Sequence, residues 1–210
     1  MPYGEALALQ ERCVSERRAG APDRLLLLEH PHVITSGSGG DPAHVLVGES
    51  ELQARGIERY ETGRGGDITY HGPGQLVGYP ILDLKPDRRD LHAYLRALES
   101  VLIHALLTWG IEGVRQPPHT GVWVGDAKVA ALGIRVSSGW ITSHGFALNV
   151  STDLSYFETI VPCGIADRRV TSLSELLGRE IEIGDAEGAV GEAFRSEFGH
   201  GRVDRLDGLP

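Results

Sequence analysis

Residues 121–150 carry three apolar segments, 121–124, 128–136 and 140–150, joined by the turns Gly125-Asp126 and Ser137-Ser138-Gly139. Strands joined by so few residues lie antiparallel, because a parallel neighbour needs a crossover of a dozen residues or more. Gly-Asp suits such a hairpin. This block therefore reads as an antiparallel meander, not as a series of βαβ units. Around it the spacing of apolar residues predicts helices over 3–18 and 91–109 and a closing helix over 185–198. Asp90 is placed to cap the middle one and Gly110 to end it. Ala6, Leu9, Cys13 and Val14 form the apolar side of the first. Four leucines at 25–28 predict a buried strand. The segment from Glu29 is expected to leave that strand as a mobile Gly/Ser-rich loop reaching Pro42. A short helix near 50–54 and a strand over 58–61 follow. Residues 114–120, with Pro117-Pro118, are expected as an extended loop. Later come a helical turn over 154–160, a helix over 173–177 capped by Thr171 or Ser172, a brief strand over 180–183 and a loose tail from His200.

The most unusual stretch is Arg64-Gly65-Gly66-Asp67-Ile68-Thr69-Tyr70-His71-Gly72-Pro73-Gly74-Gln75. Ile68 and Tyr70 alternate with Thr69 and His71, as in a strand with one buried face. Glycines bracket that strand on both sides, and glycine lets backbone N–H groups approach a ligand closely. A glycine-rich hairpin with ordinary polar edges would account for the pattern. So would the wall of a substrate site, and the density of Arg, Asp, Tyr, His and Gln favours the wall.

The chain's 210 residues suit one domain, or one main domain with a small appendage, and 41% hydrophobic content suffices for a core. A net charge of −9 argues against general nucleic-acid or anionic-membrane binding. No apolar run approaches membrane-spanning length, no secretory signal is evident, and two cysteines make no disulfide framework or CxxC metal pattern. A cytoplasmic, reducing location is expected. His30 and His32 could ligate a metal at i, i+2, but no further ligands stand at a recognisable spacing, and no metal or cofactor is expected. His92 and His104 read as structural.

Of 20 basic residues, only Lys85 and Lys128 are lysines. Lysine can give up its proton when buried, and arginine effectively cannot. Lys85 precedes Pro86 in a charged turn and looks incidental. Lys128 opens an apolar run and is the candidate for chemistry. Cys163, between Pro162 and Gly164, reads either as an exposed nucleophile or as a bystander; Cys13 fits a buried, inert cysteine. A cation beside Cys163 would favour its thiolate, and Lys128 could supply both the cation and a proton shuttle. His71 and His144 offer a rival Cys–His pairing. Neither GxxxxGK[ST] nor a post-strand GxGxxG occurs, which weakens nucleotide chemistry.

Taken together, Glu29-His30-Pro31, the run from Arg64 to Pro80, Lys128 to Gly133, His144 to Asn149 and Pro162-Cys163-Gly164 resemble the lipoyl(octanoyl) transferase family. The resemblance runs from the first helix to about Leu177. It implies an α+β fold like that of the biotin/lipoate protein ligases, with mixed, mainly antiparallel sheets flanked by helices, and one catalytic domain over 1–210. It implies that Cys163 takes octanoyl from acyl carrier protein as a thioester. The lysine amine of an acceptor then removes it, the acceptors being lipoyl domains of 2-oxoacid dehydrogenases or the glycine-cleavage H protein. It gives Lys128 the proton transfers. It gives the acyl site Arg64, Gly65, Gly66, Asp67, Ile68, Thr69, Tyr70, His71, Ala131, Leu132, Gly133, Gly145, Phe146 and Ala147. Two departures stand out. Asp67 replaces a neutral polar residue common in the family, and the hairpin between Lys128 and His144 is one residue longer. An ATP-dependent lipoate or biotin ligase on the same fold would need no cysteine. A catalytically silent scaffold that binds lipoyl domains would need neither Cys163 nor Lys128. An acidic carrier protein would call for a basic rim, for which Arg64, Arg135, Arg168 and Arg169 are candidates.

Overall fold

The computed structural model describes residues 1–162, 169–199 and 202–205. Its main sheet has the order β11-β1-β5-β9-β8-β7-β6, built from Arg202–Arg205 (β11), Arg24–Leu28 (β1), Gln75–Ile81 (β5), Thr142–Asn149 (β9), Ala127–Val136 (β8), His119–Val124 (β7) and Val114–Gln116 (β6). All neighbours are antiparallel except β1 and β11. The two-residue strand β10, Arg169–Val170, lies parallel to the start of β8, with Val170 opposite Lys128. A smaller sheet has the order β3-β2-β4, from Glu58–Glu61, Val33–Ser36 and Ile68–His71.

The four leucines of β1 are buried because both faces of the sheet are covered. Leu25 and Leu27 enter the core formed with α3 (Leu91–Leu106) and α5 (Ile183–Phe198), through Leu98, Leu102, Val190 and Phe194. Leu26 and Leu28 face α1 (Tyr3–Arg18), through Ala6 and Cys13. At about 25 cal/mol per Å², each such leucine is worth roughly 2 kcal/mol of burial. α3 begins where its sequence says: the Asp90 carboxylate accepts from the N–H groups of His92 and Ala93 at 2.8 and 3.0 Å. Gly110 ends the helical segment at φ +69°, in the left-handed region. A third core lies behind the small sheet, joining Ile34, Ile68 and Tyr70 to Leu52 of α2 (Glu49–Ala54) and to Phe157 and Ile160. α4, Leu173–Leu177, is capped by Ser172, which accepts from Glu175 N–H at 3.1 Å.

Several segments differ from the expectation. Residues 33–36 form a strand, because β3 and β4 sandwich them. The Gly/Ser loop after them is tied down: the N–H groups of Gly37, Ser38 and Gly39 donate to the carbonyls of Asp67, Arg64 and Gly66. Residues 114–116 and 119–120 are edge pairing rather than loop. Ile183 begins α5, so residues 180–183 are not a strand. The tail returns as β11, where β1 offers a free edge to pair with.

Candidate active site

β4 separates two environments. Ile68 and Tyr70 point into the small-sheet core. Thr69 and His71 point the other way, into a cavity between the small sheet, the main sheet and the start of α1. Arg64, Gly66, Asp67, Ala131, Leu132, Gly133, Gly145, Phe146 and Ala147 line the same cavity. Gly65 lines an adjoining opening together with Gly66, Asp67, Lys128, Leu132 and Gly133. The sequence-predicted acyl residues therefore meet in one place, except that Ile68 and Tyr70 form its backing. Tyr3, Val77, Tyr79 and His144 line the cavity too. Glycine at 145 is not there to seat a ligand: a Cβ would lie 2.2 Å from the Gly78 carbonyl oxygen, so the residue lets β9 press against β5. At Gly133 the neighbouring space likewise holds Gly65 and Arg64.

The polar groups here are held neutral or fully engaged. Arg64 is buried; its guanidinium donates to the Thr35 carbonyl at 2.6 Å, to Thr35 Oγ1 and to the Gly65 carbonyl. It is thus a structural tie and not part of a basic rim. Arg135 and Arg169 are exposed, and Arg168 lies outside the described residues. Asp67 meets the Asp41 N–H at 3.0 Å and His44, pinning the Gly/Ser loop over the site. His30 bonds the Met1 carbonyl at 2.8 Å and the Tyr79 hydroxyl at 2.7 Å, while His32 bonds Tyr70 and stacks on Tyr156. Burial pushes His71 down to about 3, helped by His30, Arg64 and His144. Burial likewise pushes His30 and His144 down to about 4, and Tyr3 up to about 12. At neutral pH the cavity wall therefore presents uncharged imidazole and phenol beside Val77, Ala131, Leu132, Phe146 and Ala147.

A hydrogen-bond chain leads from this wall to Lys128. Asn149 Nδ2 donates to the Thr171 carbonyl at 2.9 Å, and Gln75 Nε2 donates to Asn149 Oδ1 at 2.9 Å and to the Tyr70 carbonyl at 3.3 Å. Two carbonyls can only accept, so both amides are oriented, and Gln75 Oε1 must accept from His71 Nδ1 at 2.7 Å. His71 therefore carries its proton on Nδ1. At the other end the Thr171 N–H donates to the Lys128 carbonyl at 3.0 Å.

Lys128 is buried, with Nζ 4.9 Å from the Trp123 ring centroid, a cation–π contact. Its stem lies beside Gly121: a Cβ there would sit 3.2 Å from Lys128 Cε and 2.8 Å from the Ala130 carbonyl. Gly121 N–H in turn donates to Glu99, a fully buried carboxylate on α3 that also takes Arg96 and Arg115 at 2.6 and 2.9 Å. Lys85, by contrast, is an exposed surface residue 3.8 Å from Asp83. A small cavity joins Lys128 to Thr69, Gln75, Asn149, Pro162 and Val170, and it shares Thr69, Ala131 and Ala147 with the larger one. Cys163 lies outside the described residues. Pro162 before that segment and Val170 after it both stand beside Lys128. Cys13 is buried, with Arg24 3.5 Å from its Sγ.

The model of one protein family, described as the lipoyl protein ligase A/B catalytic domain, matches residues 2–195. The chain belongs to this family. Within it, an octanoyltransferase of Rubrobacter xylanophilus is 54% identical over 200 residues, covering 94% of this chain and 90% of the relative. One from Solibacter usitatus is 54% identical over 209 residues, covering 99% and 91%. Among solved structures, a T. acidophilum protein with bound lipoic acid superposes with a TM-score of 0.77 at 17% identity, over 97% of this chain and 83% of that one. A lipoate-protein ligase A bound with ATP gives 0.75 at 17% identity, over 93% and 81%. These two likenesses carry the fold: mixed sheets flanked by helices, as the sequence motifs implied. Among the described residues no helix is long and apolar enough to cross a membrane.

Proposed function

We propose that this chain, acting as one domain over 1–210, is an octanoyltransferase. It moves octanoyl from the thioester of acyl carrier protein, through Cys163, to the lysine amine of lipoyl domains of 2-oxoacid dehydrogenases or of the glycine-cleavage H protein. The observation that carries the mechanism is the convergence at Lys128: the chain on both sides of the Cys163 segment meets this one buried lysine, beside a largely apolar cavity. The relatives named octanoyltransferase support the substrate.

In the first step the Cys163 sulfur attacks the thioester carbonyl. The carbon–sulfur bond to the carrier's thiol breaks, and that thiol leaves with a proton relayed by Lys128. A cation near the thiol favours the thiolate that attacks. In the second step the acceptor amine attacks the Cys163 thioester. The amide bond forms, Lys128 takes up the amine's proton, and the cysteine thiol is restored. No oxidant, metal or nucleotide enters either step. The need for a free thiol suits the reducing cytoplasm.

Incubation with octanoyl carrier protein and no acceptor tests this. Intact mass should rise by one octanoyl group, lost in Cys163→Ser. An unmodified wild-type protein, or a Cys163→Ser variant that transfers at the wild-type rate, refutes it. Lys128→Arg keeps the charge and blocks deprotonation near neutral pH. Acylation of Cys163 should survive in part while transfer to the amine fails.

A further inference from the structure

The largely apolar cavity ends where a second, polar cleft begins. That cleft lies under the first helix, beside Gln10, Val14, Arg18, Arg135 and Ser143. His144 is the one residue that lines both spaces among the described residues. His144 therefore stands at the boundary of the two spaces.

This boundary residue is held in an unusual conformation. His144 has φ +54°, in the left-handed region that side-chain-bearing residues rarely adopt. Its N–H donates to Gln10 Oε1 at 2.7 Å. Gln10 is 3% exposed, and it occupies a polar position on the buried stripe Tyr3, Ala6, Gln10, Cys13 of α1. Gln10 Nε2 and His144 Nδ1 are buried and find no protein partner among the described residues. Two buried polar side chains, linked by one hydrogen bond, thus stand where the two spaces meet.

We propose that His144, braced by Gln10, is the end wall that sets the acyl chain length, and that removing its ring opens the cavity into the polar cleft. This rests on the octanoyl-transfer reading and adds to it a residue that determines specificity. Each methylene given a place to bury is worth about fourfold in affinity, so small openings have large effects.

The test compares octanoyl and dodecanoyl carrier proteins as donors, with wild type and His144→Gly. Glycine is at ease at positive φ, so the backbone is kept while the ring goes. The dodecanoyl-to-octanoyl ratio of kcat/KM should rise at least about tenfold. An unchanged ratio, with both donors falling in parallel, overturns the proposal. His144→Asn, which also tolerates the left-handed region, serves if the glycine variant does not fold, with the same two outcomes. Calorimetric binding of free octanoate and dodecanoate to the same proteins decides the wall without turnover. A wild type that binds octanoate but transfers no octanoyl would sink the functional reading, while the ratio of binding constants would still judge His144. Gln10→Ala should move the ratio in the same direction by a smaller factor. A ratio equal to that of wild type would remove Gln10 from the wall.

Discussion

The amide chain from His71 to Thr171 makes Gln75→Ala the most informative single change away from the reacting groups. Gln75 is 1% exposed and makes three hydrogen bonds, to His71, Asn149 and the Tyr70 carbonyl. Truncation removes all three. It also leaves two buried partners, the His71 Nδ1 proton and Asn149 Oδ1, without Gln75 to pair with. Lost hydrogen bonds cost about 1 kcal/mol each, and a stranded buried group costs about 1–3 kcal/mol. These costs overlap, and a loss of roughly 4 kcal/mol follows. At 2–4 °C per kcal/mol for a chain of this size, Tm should fall by about 8–16 °C. Urea unfolding of Gln75→Ala, Asn149→Ala and the double variant gives the decisive number. If the two amides form one network, the double variant should lose at least about 1 kcal/mol less than the sum of the singles. Turnover should fall further than stability alone explains, since Asn149 holds the Thr171 backbone that bonds Lys128. Additive losses, or a Gln75→Ala cost below about 1 kcal/mol, would refute the network.

His30, His71 and His144 sit near 4, 3 and 4 instead of the usual 6.5, so the unfolded chain binds more protons on acidification. Stability should be fully present above about pH 6.5 and should fall as pH drops towards 4, by up to about 1.4 kcal/mol per pH unit for each histidine. Chemical denaturation at pH 7, 6 and 5 measures this, and a flat profile would contradict it. Gly121→Ala places a Cβ at φ +134° against Ala130 and the Lys128 stem. It should cost about 1–3 kcal/mol and slow acyl transfer, read by melting and steady-state kinetics. Asp67→Ala frees the loop that Asp41 and His44 tie to the site. Hydrogen exchange at residues 38–44 should quicken, and KM for the carrier protein should rise more than kcat falls.

Much of this was legible because local chemistry and tertiary demand agree. The meander of β7, β8 and β9 follows from turns too short for any other connection. Asp90 and Gly110 mark the ends of one helical segment because caps are set by neighbours in sequence. The alternation in Ile68-Thr69-Tyr70-His71 anticipated two faces, though both proved buried, one in core and one at the cavity. What escaped depends on distant partners. Residues 33–36 lack strand length and become a strand only between β3 and β4. β11 exists because β1 has an edge to fill. Arg64 looked like a rim charge, and only the fold shows Thr35 enclosing it. Tyr79, Val77 and Tyr3 reach the cavity from elements that read as ordinary core. Gln10 left one signal: a polar residue on an otherwise apolar helical stripe. Glu99 left the same signal on α3.

Glu99 has a further consequence for how this protein can change. The helical layer and β7, the strand beside the lysine's, are joined by an ion-containing strut that ends on the Gly121 N–H, against which the lysine stem packs. A core redesign that replaced α3 with a helix of equal apolar volume would keep the hydrophobic burial intact and still let β7 drift at Gly121. The lysine's aim is therefore set in part from α3, a layer away from the strand that carries it. Substitutions that shift reactivity should be sought on α3, around Arg96, Glu99 and Arg115, as well as in the cavity wall.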